Sequence, residues 1–129
     1  MVISLDTNMV VRIFVDDPEC PEQSHQVRQI VGQHKTVYLT QVVQIETVWV
    51  LSRSYDFSRA DITRVLENLL NNQAFRLENK HIFAAALQLY QRSNFDFSDA
   101  LILQNSVQQD LQLLSFDKKL QKQQGVMGI

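Results

Sequence analysis

The sequence predicts an α/β fold, a three-layer α/β/α arrangement around a central parallel sheet of four to five strands. Three observations carry that prediction: short apolar runs alternate with helical periodicities along the whole chain, the length suits one domain, and glycine and proline are scarce. At 129 residues the chain is long enough to bury a core without disulfides or structural metals, so one compact domain over residues 1–129 is expected.

Val2–Leu5 is the first apolar run and reads as a buried strand; Asp6-Thr7-Asn8 then supplies helix-starting polar groups ahead of Met9–Phe14. Asp16-Asp17-Pro18 breaks the chain, and Glu19–His34 carries a sparse, mostly solvent-facing helical pattern. Lys35–Thr40 reads as a second strand. Gln41–Tyr55 is a strongly apolar helix, and Ser58–Leu70 is another, opened by Ser58 with Asp61 three residues on as a capping-box variant. Ala74–Leu77 is a third short strand, and Lys80–Arg92 has helical spacing. Ser98–Gln109 is a further helix, Leu111–Ser115 a fourth strand, Asp117–Gln123 a last short helix, and Val126–Ile129 a candidate edge strand.

Composition narrows the function classes. The lone cysteine, Cys20, matches no disulfide, metal or redox spacing and points to a reducing, cytoplasmic compartment. No basic leader opens the chain, and no apolar run approaches the roughly 20 residues that span a bilayer, so a soluble protein is expected. A formal net charge of −2 supplies no overall attraction to nucleic acid, but a chain that brings cations to its own phosphate-facing site tolerates that. The histidines, His25, His34 and His81, lack metal-ligand spacing and read as surface residues.

Carboxylates carry the chemistry. In parallel α/β sheets, ligand sites form beyond the carboxyl ends of the strands. Asp6 follows the first strand directly and Asp117 follows the fourth by two residues, while Asp99 opens a helix. Each aspartate also has a local reading as a helix cap, and Asp96 with Asp99 as a capping box. Glu46 neighbours Val42, Val43, Trp49 and Val50 at helical spacing, which predicts an inward-facing carboxylate that needs a proton, a cation such as Arg12 or Arg53, or a metal ion. Four converging carboxylates form an all-oxygen donor set of the kind Mg²⁺ or Mn²⁺ prefers, and two ions there suit an in-line phosphoryl displacement without a protein nucleophile.

Five fragments in order resemble the PIN-domain ribonucleases, and within them the VapC-type toxins of prokaryotic toxin–antitoxin pairs. They are Ile3–Asn8, Val11-Arg12 with Asp16–Glu19, Ile45–Leu51 around Glu46, Asp96–Ile102, and Leu114–Lys119. The resemblance implies that Asp6, Glu46, Asp99 and Asp117 are the catalytic and metal-binding acids and that RNA is the substrate. It also implies a cognate VapB-type antitoxin that blocks the acidic pocket, and a homodimer. Asp96 is expected to cap or to support the ligands, and Ser115 to orient toward a ligand or Asp117. The short tail Gln124–Ile129 departs from the family and leaves its final strand in doubt. Arg12, Arg53, Lys118 and Lys119 are candidates for the phosphate backbone. A receiver domain would need an acidic pair after the first strand, and an Asp-x-Asp phosphatase would need a second aspartate where Asn8 stands. The remaining alternatives are a catalytically silent PIN-like interaction module and a housekeeping PIN nuclease without an antitoxin.

Overall fold

Two compact units make up the chain, divided between Lys80 and His81, and the computed structural model describes residues 2–128. The first unit runs β1 (Ile3–Ser4), α1 (Thr7–Phe14), α2 (Pro21–His34), β2 (Val37–Leu39), α3 (Gln41–Ser54), α4 (Arg59–Asn71) and β3 (Phe75–Leu77). Its three strands are all parallel in the order β1-β2-β3, with Ile3 opposite Val37 and Val37 opposite Phe75. Leu5 N–H still donates to the Tyr38 carbonyl at 3.0 Å and Glu78 N–H to the Leu39 carbonyl at 2.9 Å, so the pairing outlasts the short strands. Most of the buried side chains here are aliphatic, among them Leu5, Val10, Val11, Leu39, Leu51 and Leu66.

The second unit holds α5 (Lys80–Gln91, whose first residue belongs to the first unit), α6 (Phe97–Gln108), β4 (Leu113–Ser115), α7 (Lys118–Gln121) and β5 (Val126–Gly128). Phe97 anchors its core, packed edge-on against Phe83 at 5.4 Å and Tyr90 at 6.0 Å between ring centroids. β4 and β5 pair in parallel, Leu113 opposite Val126 and Ser115 opposite Gly128. A Cβ on Gly128 would stand 2.6 Å from the end of the Gln121 side chain, whose amide donates to the Ser115 carbonyl at 2.9 Å, so a larger residue there would make that glutamine shift.

The α/β class and the parallel sense of every strand match the sequence prediction, but the single central sheet of four to five strands does not. Among the described residues the strands form a three-stranded and a two-stranded sheet. The tail supplies a strand of its own: Val126–Gly128 pairs with β4 over three residues. The candidate edge strand is thus real over Val126–Gly128, and Ile129 lies outside the described residues.

Local signals explain most helix boundaries. Pro21 sits in the first turn of α2, where a missing N–H does no harm, so this helix begins two residues later than the pattern from Glu19 implied. Ser58 and Asp61 form the expected reciprocal capping box on α4. α3 is held differently. Thr40 caps it, the Glu78 carboxylate accepts from Gln41 N–H at 2.8 Å, and Gln44 reaches back into the sheet. Gln44 is fully buried; its Nε2 donates to the Leu39 carbonyl at 3.2 Å and the Glu78 carbonyl at 3.1 Å, tying α3 to the ends of β2 and β3.

Gln44→Ala removes both ties and leaves a cavity, and should destabilise the protein by about 2–4 kcal/mol. Urea unfolding measures it, and a loss below about 0.5 kcal/mol would show that Gln44 does not fix α3 to the sheet.

Candidate functional site

Parallel pairing places the residues after β1, β2 and β3 on one rim of the first unit. Asp6 leaves that rim as the N-cap of α1, its Oδ1 accepting from Met9 N–H at 3.0 Å. The cap orients an exposed carboxylate at a helix N-terminus, so the structural role expected of a lone aspartate and a role in a site are compatible here. The next residue, Thr7, donates its hydroxyl to Glu46 Oε1 at 2.8 Å. Glu46 is therefore tied to the residue that follows Asp6, a link the sequence did not single out although Thr7 stood in the polar triplet read there.

Glu46 does not point inward. It is exposed, and two of the neighbours taken for a core stripe are exposed as well, Val42 at 65% and Trp49 at 58%. The buried side of α3 instead carries Val43, Gln44, Thr47 and Leu51. The expectation failed because α3 is apolar around most of its circumference while two polar residues take core positions, so no stripe marks its inner face. Neither arginine suggested for Glu46 is its partner. Arg53 lies over the Trp49 ring at 5.4 Å, and Arg12 stands 3.5 Å from Asp17 and donates to the Tyr55 hydroxyl at 2.7 Å.

The second unit presents its own acidic group. Asp96 is the N-cap residue of α6, but among the described residues its side chain makes no capping hydrogen bond, so the proposed capping box with Asp99 is not formed. Asp99, in the first turn, is half-buried. Burial pushes its pKa above the ordinary value of 3.8, and the negative charges of Asp96 and Asp117 push it further the same way. Asp117 caps α7, its Oδ1 accepting from Lys119 N–H at 2.8 Å and Leu120 N–H at 3.3 Å. Ser115 Oγ accepts from Asp117 N–H at 2.9 Å, so the hydroxyl shapes the turn that carries the acid, in line with its expected orientation toward Asp117.

All donors in these two groups are carboxylate or hydroxyl oxygens, a hard set that fits Mg²⁺ or Mn²⁺ better than a soft metal. Within neither unit do three His, Cys, Asp or Glu side chains close into a ready-made ligand group among the described residues. His25, His34 and His81 are exposed, as expected. Of the phosphate-binding candidates, Lys118 and Lys119 are exposed on α7, whereas Arg12 is largely occupied by Asp17, Tyr55 and Gln23. No helix among the described residues is long and apolar enough to cross a membrane.

A carboxyl whose pKa is higher in the folded chain than in the unfolded one binds its proton more tightly when folded. Stability therefore falls as pH rises from 3.8 through the folded pKa, and the penalty persists at neutral pH. Asp99→Asn removes that penalty and should raise the metal-free Tm at pH 7 by on the order of 2 °C, with no gain at pH 3. Thermal melts in EDTA check it; an equal shift at both pH values would contradict it.

The PIN domain family model matches residues 3–126. A VapC ribonuclease of Aquifex aeolicus (strain VF5) is 30% identical over 98 residues, covering 75% of this chain and 73% of the relative. With a match over nearly all of its length, and acids following β1, opening α6 and following β4, the chain belongs to the PIN-domain family.

Proposed function

We propose that this PIN-domain chain is a divalent-metal-dependent endoribonuclease that hydrolyses RNA phosphodiesters, the toxin of a type II toxin–antitoxin pair. The observation that carries the reading is Asp99, a half-buried carboxyl with two acidic neighbours. Such a group is unfavourable in its ionised form unless a cation joins it, and perturbed carboxyls of this kind concentrate at functional sites. The relative named as a ribonuclease supports the choice of reaction. The family match over residues 3–126 supports treating both units as one nuclease domain.

Asp6, Glu46, Asp99 and Asp117 would hold two Mg²⁺ or Mn²⁺ ions, which supply an acidified water and neutralise charge on the phosphate. The chain's own contribution is positioning. Met9 N–H and the amides of Lys119 and Leu120 hold one oxygen each of Asp6 and Asp117 in place. Thr7 does the same for Glu46. Asp99, held near Asp96 and Asp117, is the carboxylate that gains most from a cation. Glu46 completes the set or orients water from its exposed position on α3.

The partners belong to the same proposal. A VapB-type antitoxin with basic side chains would neutralise the acidic groups, and a homodimer would cover some of the large apolar side chains left exposed, such as Trp49. A cytoplasmic location accords with a free cysteine, Cys20.

Purified protein should cut RNA with Mg²⁺ or Mn²⁺ and not in EDTA. Asp6→Asn and Asp99→Asn should each lower the rate about 100-fold or more, equivalent to about 2.7 kcal/mol of barrier, with the fold retained. Metal-independent cleavage, or wild-type rates in either variant, would remove the acids from the reaction. Absence of any cleavage would favour the silent module instead.

A further inference from the structure

Phe116 is the most exposed of the large apolar side chains among the described residues, at 76%, and it lies between Ser115 and Asp117 in the turn from β4 to α7. Unlike Trp49, whose ring has Arg53 over it, Phe116 has no ring or cation partner among the described residues. Both of its neighbours are nonetheless pinned. Ser115 Oγ accepts from Asp117 N–H at 2.9 Å, and the Ser115 carbonyl accepts from Gln121 Nε2 at 2.9 Å. Asp117 Oδ1 accepts from the amides of Lys119 and Leu120 at 2.8 and 3.3 Å. The turn therefore holds a flat apolar ring out in solvent, one residue from a candidate metal-binding acid. A ring already held in place loses little freedom when something packs on it.

Charge around the ring has two signs. Lys118, Lys119 and Lys122 follow it closely, all three are exposed, and none makes an ion pair among the described residues. The chain as a whole has a formal charge of −2, so three lysines grouped with Asp117 as the one acid run against its average. A basic protein suits Asp117 but is repelled by the lysines, and an acidic protein meets the reverse. RNA with its accompanying divalent cations suits both. Asp117 takes up a cation, the lysines meet phosphates, and an unpaired base lays its flat face on the ring. In a duplex the base faces are already stacked on one another, so a side-chain platform selects single strands.

We propose, on the basis of the nuclease reading, that Phe116 with Lys118, Lys119 and Lys122 forms a binding surface for single-stranded RNA beside Asp117. One base stacks on the Phe116 ring and the flanking phosphates lie against the lysines. Every base has a face to stack, so this surface sets the strandedness of the substrate and not which base lies there.

Binding is read apart from cutting by using the full chain with Asp99→Asn in Mg²⁺, where the nuclease reading expects cleavage to be slowed about 100-fold. The probes are a fluorescently labelled single-stranded RNA of about ten nucleotides and the same strand annealed to its complement. Fluorescence anisotropy should show the single strand bound about tenfold more tightly than the duplex. Phe116→Leu keeps an apolar side chain but has no flat face, and should weaken single-strand binding about tenfold; Phe116→Tyr keeps the face and should stay within about twofold. With Lys118→Gln, Lys119→Gln and Lys122→Gln together, the slope of log affinity against log salt should fall by about 0.7 per lysine. The Tm should not move in either Phe116 variant, since the side chain is exposed. No binding of single-stranded RNA, or equal binding of strand and duplex, would overturn the surface. So would unchanged RNA affinity in Phe116→Leu; if that variant instead breaks up a dimer, the ring belongs to a second copy of the chain. RNA that is held through Phe116 but never cut by the wild type with Mg²⁺ or Mn²⁺ supports the surface and overturns the nuclease reading alone.

Discussion

Parallel hydrogen bonding among β1, β2 and β3 forces three chain segments to emerge on one rim, and the placement of Asp6 and of α3 in the first unit follows from it. Asp6, Thr40 and Glu78 each stand one residue beyond a core leucine, Leu5, Leu39 and Leu77 respectively. Each then has a different task. Asp6 caps α1, Thr40 caps α3, and Glu78 accepts from the first amide of α3 while its own carbonyl receives Gln44. Because α3 is fixed at this rim by capping and by a buried amide, Glu46 comes within reach of Thr7 on α1. Strand pairing, a core glutamine and an exposed carboxylate are thus links in one chain of cause.

The same amide chemistry has an unsatisfied side. Gln44 Oε1 and Thr47 Oγ1 are buried with no hydrogen-bond partner among the described residues. Leaving such groups unpaired is unfavourable by about 1–3 kcal/mol each, so the two bonds from Gln44 Nε2 offset a penalty on the same side chain. In the second unit the corresponding tension is electrostatic. Asp99 is held where burial and two neighbouring carboxylates oppose its ionisation, and it has no arginine or lysine ion pair among the described residues. Frustration of this kind persists in folded chains where a ligand relieves it.

Much of this was legible in the residues, and the limits have physical reasons. Helices with strong end signals stood out, as Ser58 and Asp61 on α4 show, and the strands were recognisable as apolar runs beside polar triplets. The orientation of Glu46 was not, because α3 has apolar side chains around most of its surface and buries Gln44 and Thr47, which no hydropathy stripe reveals. The division into two sheets was equally hidden, since strands of two or three residues carry no signal in sequence of which partner they pair with. Asp6, Asp99 and Asp117 were found by their positions after strands or at a helix start.

The proposed reaction requires Asp6, Glu46, Asp99 and Asp117 to bind divalent ions. Paramagnetic broadening by Mn²⁺ of the side-chain carboxyl ¹³C resonances tests that most directly, because it depends on distance to the ion and not on turnover. All four acids should broaden together at the lowest Mn²⁺ additions, ahead of Asp16, Asp56 and Glu67. No broadening at these four acids, or broadening spread evenly over surface carboxylates, would contradict their role as metal ligands.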